Sequence, residues 1–206
     1  DREFQSVQVQ SGEHTGYRLL GVDPAAGGDN SAIVMKSGNL IEVLFNQKMP
    51  NTMDLYGVVV DSYHKLKADM IVVDKTGVGQ GLYDRLLDAG YNVRGVSFGE
   101  KSEDQQFGNL KAEWHWRLRK WLLTGGRLLV NHGWSELEIV KYKNKDGKII
   151  IQPKEDLFRE GIMSPNVVDA AVLTMAIPDS AIRNNSTYKA MGGQFYDKMS
   201  DIYDNG

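Results

Sequence analysis

Two uninterrupted apolar runs, each closed by an aspartate, constrain this chain more than any other feature. YRLLGV at 17–22 ends on Asp23, and MIVV at 70–73 ends on Asp74. A short apolar run without polar alternation suits a strand covered on both faces, as in a sheet flanked by helices. In open α/β folds the carboxyl ends of such strands line the crevice where ligands bind. An Asp-Pro turn would by itself explain Asp23. A second strand ending the same way favours a shared site instead.

Periodicity elsewhere predicts an α/β fold around these runs. SAIVMK (31–36) and NLIEVLFNQKM (39–49), joined by Ser37-Gly38-Asn39, extend the first strand into an antiparallel three-strand meander. Asn51 or Thr52 caps a helix carrying Leu55, Val58, Val59, Tyr63 and Leu66. Glycines 77, 79 and 81 lead into a helix with Leu82, Leu86 and Leu87, closed by Gly90, and YNVRGVSF (91–98) returns as a strand. Those glycines fit a phosphate loop and plain turn chemistry equally well. Leu110, Trp114, Leu118, Trp121 and Leu122 mark a further helix ending at Gly125-Gly126, with its tryptophans predicted in the core. Residues 136–152 read as two strands joined at Asn144-Lys145-Asp146-Gly147, and NVVDAAVLTMAI forms a last helix between Pro165 and Pro178. The expected organisation is a leader at 1–16, one domain at 17–178, and a flexible or partner-docking tail at 179–206.

Composition narrows the chemistry. With 206 residues, 41% of them hydrophobic, one sizeable core is within reach. The absence of cysteine excludes disulfides, thiolate metal sites and cysteine nucleophiles, and points to a reducing compartment. No apolar stretch reaches the ~20 residues of a membrane helix, so a soluble, intracellular protein without membrane contact is expected. A net charge of −3 does not exclude DNA, since charge can be segregated.

The third carboxylate is Asp169, on the last helix, whose Val168, Ala171, Val172 and Met175 form an apolar face to pack on the sheet. If Asp23, Asp74 and Asp169 converge, their mutual repulsion and partial burial are costly unless a cation neutralises them. Carboxylate-only ligation selects hard ions, Mg²⁺ or Mn²⁺, and two such ions form a device for in-line attack on a phosphodiester. Lys141, Lys143 and Lys145 alternate along the first strand of the hairpin, with Lys148 and Lys154 on or near the return. They form either a solvated edge or a ribbon for phosphates. His14, His64, His115 and His132 lack ligand spacing, and no site is assigned to them.

GVDPAAGGDNSAIV, MIVVDKTGVGQGLYDRL and SPNVVDAAVLTMA, in this order, resemble the nuclease domain of phage terminase large subunits, over roughly residues 17–177. The resemblance implies an RNase H-like fold and a Mg²⁺- or Mn²⁺-dependent endonuclease that cuts concatemeric double-stranded DNA at the start and end of genome packaging. It implies that Asp23 bridges two metals, that Asp74 and Asp169 each complete a site, and that Asp29 stands for an extra acidic residue near the metals. A hairpin near the active site in that family favours DNA contact for the lysines, Lys154 above all. Also implied are an N-terminal ATPase motor domain, a portal protein and a small terminase subunit as partners, and work in the host cytoplasm. No GxxxxGK[ST] motif occurs, so the motor is not in this chain. Tyr188, Phe195, Tyr196 and Tyr203 in the tail could dock on a portal. Sugar kinases and actin-like ATPases have faintly similar loops but need two such domains. Resolvases and transposases use a like acidic cluster, and a non-catalytic DNA- or portal-docking module with a structural ion is a further alternative.

Overall fold

In a computed structural model, residues 6–25 and 28–178 are described, and the chain divides at Ala176 into two units. The first unit is built on a seven-stranded mixed sheet. Its strands are β1 (Gln8–Val9), β2 (Arg18–Asp23), β3 (Ser31–Ser37), β4 (Leu40–Gln47), β5 (Met70–Asp74), β6 (Val93–Val96) and β7 (Arg127–Leu129), in the order β1-β7-β4-β3-β2-β5-β6. The β2-β3-β4 meander is antiparallel, as expected, and β5 runs parallel to β2 on one side and β6 on the other. Central, doubly paired strands explain the unbroken apolar runs.

Among the described residues, five named helices flank the sheet or its hairpin: α1 (Thr52–Leu66), α2 (Gly79–Asp88), α3 (Leu110–Leu123), α4 (Lys154–Arg159) and α5 (Asn166–Leu173). Asn51 caps α1, its side chain accepting the N–H groups of Met53 and Asp54 at 2.9 Å. Leu55 and Val59 of α1 and Leu82 and Leu86 of α2 share one core with Leu20, Val22, Ile33, Met35, Ile71 and Val73. Strand alternation then assigns the other face: Leu19, Gly21 and Asp23 of β2, and Met70, Val72 and Asp74 of β5, point away from α1 and α2.

That second face receives α5, whose eight residues are all buried. Gly21 makes the approach possible, because a Cβ there would overlap the carbonyl oxygen of Ala170 and crowd Thr174. The glycine two residues before Asp23 thus seats the helix that carries Asp169.

β8 (Tyr142–Lys145) and β9 (Lys148–Ile151) form a separate hairpin. Asp146 and Gly147 take φ of 54° and 77°, the left-handed pair of a two-residue turn. The hairpin is shorter than the sequence predicts, because residues His132–Glu138 form a 3-10 helix instead of the start of a strand. Trp134 fixes it: the ring is fully buried and its indole N–H donates to the Leu129 carbonyl at 2.8 Å. β1 and β7 are additions that the sequence pattern did not reveal. Of the predicted core tryptophans Trp114 is buried, whereas Trp121 is half-buried beneath the Lys36 ammonium. The tail aromatics Tyr188, Phe195, Tyr196 and Tyr203 lie outside the described residues.

Candidate active site at the carboxyl ends of two strands

β2 and β5 pair in parallel with Val22 opposite Val73, so Asp23 and Asp74 follow at equivalent positions on the α5 face. Asp23 is almost fully buried, and its Oδ2 has no hydrogen-bond partner. Burial first, and the neighbouring Asp169 second, push its carboxyl up to about 8, against the pull of Lys154 and Lys111. Asp74 is half-buried and accepts the Thr76 N–H at 2.9 Å. The turn after it explains two of the three glycines: Gly77 has φ of 60°, and a Cβ on Gly79 would overlap the Asp74 carbonyl oxygen.

Asp169 sits in the first turn of α5 with no exposure. Burial alone would raise its pKa, but Lys111, His115 and Lys154 together hold it well below the usual carboxylate range. Lys111 Nζ lies 2.7 Å from Oδ2, His115 Nε2 3.4 Å from Oδ1, and Lys154 Nζ 3.7 Å from Oδ2. Burial pulls the His115 pKa down, against its hydrogen bond to Asp169. Lys154 feels the opposite balance: burial lowers its pKa, but Asp23, Asp169, Asp29 and Asp74 outweigh it and the pKa rises.

The predicted residues therefore fall into distinct groups. Asp23 and Asp169 are close electrostatic neighbours, with Asp74 acting more weakly on Asp23. Among the described residues no group of three or more His, Asp or Glu side chains stands close enough to hold a metal ion. Oδ2 of Asp169 faces the ammonium groups of Lys111 and Lys154 instead, and Oδ1 faces His115. Asp29 is exposed and acts on the site through Lys154. Lys154 reaches the carboxylates, whereas Lys143 and Lys141 pair with Asp156 and Glu160, at 2.7 and 3.8 Å. Lys145 and Lys148 lie on the exposed turn end of the hairpin.

Three groups escaped the sequence reading. Lys111 and His115, spaced i and i+4, present both polar heads to one carboxylate; the available signal was a polar pair interrupting the buried face of α3. Glu136, from the 3-10 helix, accepts the Val168 N–H at 3.1 Å. It supplies the acceptor that Pro165, at the N-cap of α5, lacks. Burial raises its pKa to about 7 despite that bond. The other histidines have local partners or lie at the surface: His14 with Glu42, His64 with Tyr91, and His132 exposed.

In chemistry, though among the described residues not as a converged set of three carboxylates, the donors suit a hard divalent cation. They are carboxylate oxygens, one of them buried and unpartnered on a group whose ionisation needs a counter-charge.

No family model matches the sequence, and no curated protein does. Solved structures match it in fold. The nuclease domain of the large terminase subunit gp2 of bacterial virus Sf6 superposes with a TM-score of 0.71 at 18% identity, over 85% of this chain and 96% of that one. A mutant of that domain with manganese and beta-thujaplicinol gives 0.71 at 17% identity, over 85% and 96%. The large terminase nuclease from thermophilic phage G20c, with bound magnesium, gives 0.64 at 17% identity, over 84% and 94%. The chain thus has the RNase H-like fold of terminase nuclease domains.

Proposed function

We propose that this chain is a metal-dependent endonuclease of a phage DNA-packaging terminase, cutting concatemeric double-stranded DNA at the start and end of packaging. The observation that carries the reading is Asp23: a buried carboxyl with an unpartnered oxygen, beside Asp169, at the carboxyl end of a central strand. The metals bound by the Sf6 and G20c domains support it.

Asp23, Asp74 and Asp169 would hold the Mg²⁺ or Mn²⁺ ions, with Asp29 at the margin. When bound, the ions activate water and stabilise the leaving oxygen of the phosphodiester. The chain's own residues supply the rest. Gly21 and Glu136 set the height of α5 and so of Asp169. Lys154, half exposed at 3.7 Å from Asp169, would meet a phosphate oxygen. Lys141, Lys143, Lys145 and Lys148 offer a basic hairpin to the DNA backbone. An N-terminal ATPase motor, a portal protein and a small terminase subunit are the partners this reading entails, in the host cytoplasm.

The test is cleavage of supercoiled plasmid by the purified protein with Mn²⁺, Mg²⁺, Ca²⁺ or EDTA, beside Asp74→Asn. Cleavage that requires Mn²⁺ or Mg²⁺ and is lost in the variant is expected. Cleavage persisting in EDTA, or in a folded Asp74→Asn protein at wild-type rate, would refute the assignment.

A further inference from the structure

Asp169 is sealed from solvent, yet each of its oxygens is met by a side chain of α3: Oδ2 by the Lys111 ammonium at 2.7 Å, and Oδ1 by His115 at 3.4 Å. The Lys111 side chain is itself only 16% exposed, and its ammonium rests 5.2 Å from the centre of the Phe98 ring. It is a built-in partner rather than a passing surface contact. Lys154 is the looser one, 48% exposed and 3.7 Å away. Satisfaction at the site is therefore lopsided: both oxygens of Asp169 have partners, while Oδ2 of Asp23 has no hydrogen-bond partner.

A divalent cation and an ammonium compete for the same oxygen lone pairs, and at a few ångströms they repel strongly in a partly dry site. An ammonium 2.7 Å from Oδ2 of Asp169 occupies one of its lone pairs and repels a divalent cation on the same oxygen, so metal uptake favours its withdrawal. The flexible four-carbon stem of a lysine lets the ammonium withdraw without moving α3.

Resting on the metal-dependent reading above, we propose that Lys111 is a resident counter-ion of Asp169, which holds the carboxylate in place in the metal-free protein and leaves Oδ2 when a divalent cation is taken up, while His115 keeps Oδ1 oriented. Lys111 is thus a positioning residue that sets metal affinity from α3, outside the carboxylate set.

Titration calorimetry with Mn²⁺ on wild type, Asp23→Asn, Lys111→Gln and Lys111→Arg tests this. Wild type is expected to show binding that Asp23→Asn loses. Lys111→Gln is expected to bind Mn²⁺ roughly tenfold tighter or more, because no cation must be displaced, while Lys111→Arg stays within about threefold of wild type. A merely structural lysine would weaken binding on removal, not tighten it. Equal or weaker binding by Lys111→Gln, with normal Asp23-dependent binding in wild type, overturns the proposal and leaves the metal reading standing. No Asp23-dependent binding in wild type overturns both. A second measurement does not depend on the folding of the Gln variant. The ¹⁵N side-chain resonance of Lys111, identified by its absence from Lys111→Arg, should move and lose protection from exchange on saturation with Mg²⁺. A resonance that stays put would overturn the proposal.

Discussion

Replacing Asp23 by asparagine should abolish cleavage and, in the absence of metal, stabilise the fold. The carboxyl is raised from 3.8 to about 8, chiefly by burial and then by Asp169, with Lys154 and Lys111 opposing and Asp74 adding a little. Between roughly pH 4 and pH 8 the folded protein keeps a proton that the unfolded chain releases. Stability therefore falls as pH rises through that window, by at most about 1.4 kcal/mol per pH unit for one such group. Half of that slope, taken as a working magnitude, accumulates to about 2 kcal/mol by pH 7. An asparagine side chain at this position has no charge to bury, and the variant should unfold about 4–8 °C above wild type at pH 7 in EDTA, with the gap closing towards pH 5. Asp169 works in the other direction: its lowered pKa contributes stability that is present above about pH 4 and is lost in acid. Glu136 titrates in both proteins and cancels in the difference. Thermal unfolding followed by circular dichroism at pH 5, 6, 7 and 8 measures the gap, and Mn²⁺ should raise only wild type. A variant no more stable than wild type at pH 7, or a gap that does not change with pH, would refute the reasoning.

Two further perturbations separate positioning from DNA contact. Gly21→Ala should cost about 1–3 kcal/mol in urea unfolding and impair cleavage, because the new methyl meets the Ala170 carbonyl and lifts the helix bearing Asp169; wild-type stability would show that α5 has room to move. Lys145→Ala with Lys148→Ala should leave unfolding within ~0.5 kcal/mol of wild type and lower the salt slope of double-stranded DNA binding by about 1–2, read by fluorescence anisotropy. An unchanged slope would return those lysines to the role of a solvated edge.

Local pattern determined much of this protein. Uninterrupted apolar runs marked β2 and β5, the Asn51 cap marked α1, and Asp146-Gly147 marked the hairpin turn, since each depends on the chemistry of a few adjacent residues. The parity of Asp23 and Asp74 was written there too, because both end strands whose alternate side chains must fill the same core. Tertiary structure decided the rest. β1 and β7 are too short to carry a periodic signal and exist by pairing at the sheet edge. The 3-10 helix at 132–138 replaces the start of a predicted strand because Trp134 is fully buried, a condition set by tertiary packing rather than by local propensity. Lys111, His115 and Glu136 became part of the site because α3 and the 3-10 helix pack around α5. The sequence could point to Asp23 and Asp74, which end neighbouring strands, but the side chains that meet Asp169, Lys111 and His115, lie 58 and 54 residues away in the chain. The Lys111 charge matters there because folding removes the water that would otherwise have screened it.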